Sequence, residues 1–171
     1  MGRLPEPDLN HPDVAALIVR IKDERGGRLL NLYRMLLHSP PLADGWRALM
    51  TAIRQHATVP GRMRELVILH IAVINRADYE FRAHVPFALK EGITQAQIDA
   101  LQAGKIEGLS AAERAVLAFA RAMTIDVRVP DPLFDDVRRK LNSRQLVELT
   151  ALIAAYNMVS RFVEALQIDH D

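Results

Sequence analysis

The chain has 171 residues, with 22 Lys and Arg against 21 Asp and Glu for a net charge of +1, and it contains no cysteine. That length suits one globular domain with its own core, and the balanced, scattered charge leaves no footprint for nucleic acid. The missing thiols exclude disulfides, thiolate metal sites and cysteine nucleophiles. The opening MGRLPEPDLNHPD lacks the apolar core of a signal peptide. The most apolar run, Leu66 to Ile74, is interrupted by His70 and is far short of the ~20 residues that span a bilayer. A cytoplasmic protein with neither a membrane nor a nucleic-acid partner is expected.

Apolar residues recur at three- and four-residue steps almost throughout, so the chain reads as all-α. A first helix is predicted over Pro12–Glu24, closed by Gly26-Gly27, a pair that favours reversal. A second covers Leu29–Leu37 and ends at Ser39-Pro40-Pro41, because proline disfavours helical geometry in the residue before it; Leu42–Gln55 then reads as a third. Pro60 opens a fourth over Gly61–Asn75. Asp78 is a candidate N-cap for a fifth, which runs to Glu91 and stops at Gly92. Thr94 with Gln97, and Ser110 with Glu113, each match the capping box, in which two side chains satisfy each other's exposed backbone donors, so helices start there too. Pro130 and Pro132 begin a short segment to Leu141, and a last helix is predicted over Ser143–Ile168. No low-complexity stretch marks a second domain, and a single helical domain with its core over 29–168 is expected.

The chemistry concentrates in RELVILHIAVINRADYEFRAH, from Arg64 to His84. Glu80 and His84 are four apart, one helical turn, so their side chains share a face. Glu65 belongs to the preceding helix. In an ideal hairpin turning at Ala77, Glu65 sits ~18 Å back and His84 ~10 Å on, so a meeting requires crossed helices, an offset turn or a neighbouring subunit. Plainer roles are available to each group. A glutamate near a helix N-terminus is favourable without any chemistry, and a core imidazole can bond a backbone carbonyl. Glu80 can pair with Arg76 or Arg82 on a solvated face. Tyr79 offers a phenol to a substrate oxygen or simply packs. Pro86 removes a backbone bond to Arg82 and predicts a kink beside the site. Tyr156, Asn157 and Arg161 interrupt the apolar last helix; lining of the same pocket or of a subunit contact is open to them, and packing with helix-end satisfaction is the preferred reading. Two carboxylates and an imidazole can bind Zn or Fe, but the histidine-rich shell of the helical zinc motif is missing; no metal and no other cofactor is expected.

This segment resembles the helical pair at the heart of the carboxymuconolactone decarboxylase and alkylhydroperoxidase D-like (AhpD-like) superfamily. The redox branch carries Glu, Cys, Cys and His; at the matching places, 12, 15 and 19 residues after Glu65, stand Ala77, Glu80 and His84. The glutamate and histidine are kept and both cysteines replaced, which is similar to the decarboxylase-type branch lacking the CxxC. Asn31-Leu32-Tyr33-Arg34 and Tyr156-Asn157 with Arg161-Phe162 extend the resemblance over most of the chain. It implies an AhpD-like helical bundle in a homo-oligomer (trimer, hexamer or dimer), with Glu65 and His84 convergent. It also implies a cofactor-independent lyase or isomerase that acts by proton transfer on a small carboxylated lactone or related acid of aromatic catabolism. In that reading His84 returns a proton to carbon, Glu65 orients it, Glu80 relays the proton or positions substrate, and Tyr79, Arg76 and Arg82 are substrate-binding candidates. Two rivals stay open: a thiol peroxidase, whose attacking thiolate this chain cannot supply, and a non-catalytic helical oligomer or ligand-binding module.

Overall fold

The helical periodicity of the sequence becomes nine α-helices and no strand among residues 2–171, which the computed structural model describes. Contacts gather into two compact units, one of residues up to His56 with Val163–Asp171, the other Ala57–Phe162.

In the first unit, α1 (Pro12–Glu24) stops where Gly26 and Gly27 take φ of 64° and 81°, a left-handed region that glycine enters without a Cβ penalty. Helix α2 (Asn31–Leu36) is shorter than predicted, and its N-cap, Leu30, has no side-chain acceptor. The C-terminal tail supplies one instead: the Asn31 N–H donates to Asp171 Oδ1 at 2.6 Å, and the Asn31 amide donates to the carbonyls of Asp169 and His170. Pro40 and Pro41 do more than end α2. They occupy the first turn of α3 (Pro40–Thr51), where a missing N–H has no intrahelical partner to lose. The predicted continuation to Gln55 winds more widely, as a π-helical turn over Ala52–His56. A polar network ties α1, α2 and α3 together. Glu24 accepts from the Thr51 hydroxyl at 2.6 Å and from Arg47, while Arg25 donates to the Tyr33 hydroxyl at 2.8 Å and to Thr51 at 3.1 Å.

In the second unit, α4 (Gly61–Asn75) buries Glu65, Leu66, Val67, Ile68, Leu69, Ile71 and Ala72. A helix apolar nearly all round belongs in a core, and α5 (Asp78–Lys90), α6 (Gln95–Gln102) and α7 (Ala111–Ile125) pack on it, with α8 (Asp131–Arg138) against α7. Both predicted capping boxes form: Thr94 Oγ1 accepts from the Gln97 N–H and Ser110 Oγ from the Glu113 N–H, each at 3.2 Å. The same boxes hold α4. Arg62 donates to Gln97 Oε1 at 3.1 Å and to Glu113 Oε1 at 2.7 Å, pinning the first turn of α4 to the starts of α6 and α7. A reciprocal pair that the sequence reading passed over, Asn142 with Gln145, opens α9 (Ser143–Leu166) at 2.9 and 3.2 Å.

Helix α5 starts one position differently from expectation. Asp78 is its first helical residue and Ala77 holds the cap position, with no side-chain bond. The helix runs through Pro86 without interruption, and both Pro86 and Arg82 are exposed, so water can serve the carbonyl that loses its N–H partner. Between α4 and α5 the backbone turns at Arg76, φ 56° and ψ 36°, a left-handed residue that lets the Ala77 N–H bond the Ala72 carbonyl at 2.9 Å. Helix α9 is long and apolar enough to cross a membrane by length and composition, with 50% of that stretch buried inside the chain. The core helix of a globular protein meets the same description.

Candidate active site

Glu65 lies in the second turn of α4 and His84 in the second turn of α5, 2% and 6% exposed. His84 Nδ1 sits 2.7 Å from Glu65 Oε2 within one chain. The stagger of an ideal hairpin is therefore overcome by the join at Arg76-Ala77 and the way α5 lies on α4, and no neighbouring subunit is needed to bring the two together. Burial pushes the Glu65 carboxyl up, but the His84 hydrogen bond and charge, backed by Arg64, outweigh it and hold the group below its ordinary value. Arg64 Nε donates to the other oxygen, Oε1, at 3.2 Å.

An ionised Glu65 only accepts, so the proton of the short contact is on His84 Nδ1. On the other side of the ring the Tyr156 hydroxyl stands 3.2 Å from Nε2, which accepts from it when the imidazole is neutral and donates to it when the imidazole is charged. The two rings meet edge to face with centroids 5.2 Å apart. Phe87, exposed at 46%, stands beside the imidazole from α5 itself, with ring centroids 5.7 Å apart and tilted by 45°.

A second buried pair stands one turn away. Ser160 Oγ contacts Glu80 Oε2 and lies 2.8 Å from the Tyr156 carbonyl. Glu80 and His84 are thus matched in opposite order by Ser160 and Tyr156, each pair one turn apart on its helix, which makes α5 and the facing stretch of α9 antiparallel neighbours. Asn157, between them in sequence, turns elsewhere: its amide donates to Thr124 Oγ1 at 2.9 Å and to the Ile153 carbonyl at 3.0 Å, and its oxygen accepts from Asn75.

The structure thus brings together Glu65, His84 and, from α9, Tyr156, with Glu80 and Ser160 a turn away. Tyr79 is buried on α5 at 7% exposure. Arg76 and Arg82 are not with them. Arg76 is the exposed end of α4, and Arg82 pairs at 2.8 Å with Asp78 one turn back, both well exposed, a contact of small energetic weight. The pairing of Glu80 with either arginine gives way to the contact with Ser160. Among the described residues, no three His, Asp or Glu side chains gather as a metal-donor set. Sequence reasoning missed Arg64 and Ser160, and for Tyr156 it preferred packing over the pocket-lining alternative. The available signal was Tyr156 and Ser160 at the same spacing as Glu80 and His84, in an otherwise apolar helix.

Residues 40–122, which run from α3 into α7 and hold Glu65, Glu80 and His84, match the model of the carboxymuconolactone decarboxylase family. Over this stretch the chain is similar to the carboxymuconolactone decarboxylase family. Tyr156 and Ser160 lie beyond it. Among solved structures, the fold is similar to an uncharacterized peroxidase-related protein from Silicibacter sp. TM1040, at 18% identity over 99% of this chain and 92% of that one, with a TM-score of 0.86. A peroxidase-related protein with an alkylhydroperoxidase AhpD core from Ralstonia eutropha JMP134 matches at 18% identity over 99% and 92%, TM-score 0.83. The debrominase Bmp8, solved in complex with 2,3,4-tribromopyrrole, matches at 19% identity over 99% and 91%, TM-score 0.80. These are likenesses of fold, and they place the chain on the all-α AhpD-like scaffold. No curated protein matches the sequence.

Proposed function

We propose that the protein is a cofactor-independent lyase or isomerase of the decarboxylase type, acting by proton transfer on a small carboxylated lactone or related acid. The observation that carries the reading is the buried 2.7 Å contact between His84 Nδ1 and an ionised Glu65. A carboxylate on one ring nitrogen fixes the tautomer and supports a proton on the other, which is how an imidazole is made ready for acid–base work. In a decarboxylation the bond to the substrate carboxylate breaks, carbon dioxide leaves, and the electron pair stays as an enolate. His84 then gives a proton to carbon from Nε2, directly or through the Tyr156 hydroxyl beside it, and solvent restores that proton. The reaction consumes one proton for each carbon dioxide released.

A screen of carboxylated lactones and related acids in deuterated water tests this. The wild-type chain should release carbon dioxide and leave one solvent-derived deuterium on carbon, and His84→Ala should lower the rate by ~10²–10⁴-fold, the usual worth of a positioned acid. Turnover unchanged in His84→Ala would remove His84 from the chemistry. A cysteine-free chain is also expected to show no turnover of an alkyl hydroperoxide with a dithiol reductant. The same reading includes association of copies: Val147 and Met158 are exposed at 69% and 37% on α9, with exposed Ala151 and Ala154 between them, an apolar stripe that a second chain would cover. Sedimentation should then report a homo-oligomer, and a monomer at micromolar concentration would contradict it.

A further inference from the structure

Glu65 and Glu80 are buried to the same degree, 2% exposed, but the protons around them are arranged differently. Ser160 Oγ is in contact with two oxygens at once, Glu80 Oε2 and the Tyr156 carbonyl, the latter at 2.8 Å. A serine hydroxyl has one proton, and a backbone carbonyl can only accept. If Ser160 gave its proton to an ionised Glu80, its lone pairs would face the carbonyl oxygen with nothing between them. Both contacts are satisfied at once only when Ser160 donates to the carbonyl and Glu80 donates to Ser160. The chain of donation then runs from Glu80 to Ser160 to the main chain of α9.

The surroundings favour that assignment. Glu65 on α4 already faces His84 as an anion, and His84 shares a face of α5 with Glu80. From α9, Tyr156 and Ser160 meet this face and neither carries a positive charge, while the charge that His84 carries when both ring nitrogens are protonated is already balanced by Glu65. A carboxylate in such a place is disfavoured by desolvation and by the nearby Glu65 anion, whereas a carboxylic acid is not. An anionic substrate adds the same demand, because a second ionised carboxylate would repel it.

We infer that Glu80 stands in the site as a neutral carboxylic acid, donating to Ser160 in the resting protein and to the enolate oxygen of the bound substrate during turnover. A carboxyl kept neutral near pH 7 is a strong hydrogen-bond donor to an enolate, and the proton stays on Glu80 throughout. The two carboxyls then divide the work, Glu65 as the anion that orients the imidazole and Glu80 as the acid that stabilises charge developing on oxygen. This role rests on the proton-transfer reading above, but the protonation state of Glu80 does not.

Infrared difference spectroscopy of the whole chain at pH 7 tests it without substrate. Wild type should show the carbonyl stretch of one protonated carboxylic acid that is lost in Glu80→Gln and kept in Glu65→Gln. Ser160→Ala should keep the band and move it, since the acceptor is gone; this variant decides the matter should Glu80→Gln not fold. Absence of the acid band from wild type, or loss of a carboxylate signal in Glu80→Gln, overturns the inference while leaving the Glu65–His84 pair intact. A blank turnover screen with the acid band present would instead defeat the proposed function and leave Glu80 neutral.

Discussion

Glu24 in one unit and Glu65 in the other are both held by close donors, and both carboxyls lie below their ordinary value because those donors outweigh a burial penalty. What separates them is the kind of partner. Glu24 is held by the Thr51 hydroxyl and by Arg47, with Arg25 3.9 Å from its Oε2. A guanidinium keeps its charge at any working pH, so this network has no proton to offer and acts as a clamp joining α1 to α3. Glu65 is held by His84, the side-chain type that ordinarily changes charge near neutrality, and behind it stands a phenol. The same carboxylate therefore reads as structure in one place and as acid–base machinery in the other, and burial alone would not have told them apart.

The largest effect expected from breaking that contrast is at His84. His84→Ala leaves a buried carboxylate without its main partner and should cost about 3–5 kcal/mol by urea denaturation. Arg47→Ala removes a partner from a carboxylate whose side chain is 23% exposed, and should cost only about 1–2 kcal/mol with turnover untouched. Equal costs, or a loss of turnover in Arg47→Ala, would dissolve the comparison.

The next effect is on acid stability, to which two groups of α4 contribute with one sign, opposite to that of a carboxyl kept neutral such as Glu80. Burial, with the nearby charge of Arg121, pushes His70 down from 6.5 to about 4. The unfolded chain binds a proton that folded His70 refuses, so this contribution is complete above pH 6.5 and is lost as the pH falls from there through about 4. The contribution of Glu65 is present above its ordinary value of 4.5 and is lost as the pH falls through its lowered one. Urea midpoints recorded against pH should show both limbs, with His70→Leu flattening the upper and Glu65→Gln the lower. Smaller still, Tyr156→Phe removes a neutral hydrogen bond to His84 and should cost about 0.5–1.5 kcal/mol. Ser110→Ala, at a capping box, should cost about 1 kcal/mol and leave turnover unmoved.

Much of the scaffold was legible because its signals are local. Helices α1 and α4 lie where glycines, prolines and apolar spacing predict them, and the boxes at Thr94 and Ser110 close as their spacing requires. The π-helical turn at Ala52–His56 and the capping of α2 by Asp171 were not, since neither leaves a mark within a few residues of itself. The site divides along the same line. Glu80 and His84 declare themselves by a one-turn spacing on one helix, whereas Tyr156 and Ser160 acquire meaning only when α9 is laid against α5. Arg76 and Arg82 drew attention by proximity in sequence, but one ends a helix in a left-handed turn and the other answers Asp78 on the outside of α5.

The proton on His84 is the most direct test of the central claim. Nuclear magnetic resonance of the chain labelled with nitrogen-15 histidine at pH 7 should show the ring proton of His84 on Nδ1, shifted to low field by the Glu65 carboxylate and lost or strongly moved in Glu65→Gln. A His84 proton found on Nε2 alone, or an Nδ1 proton indifferent to Glu65→Gln, would contradict the account.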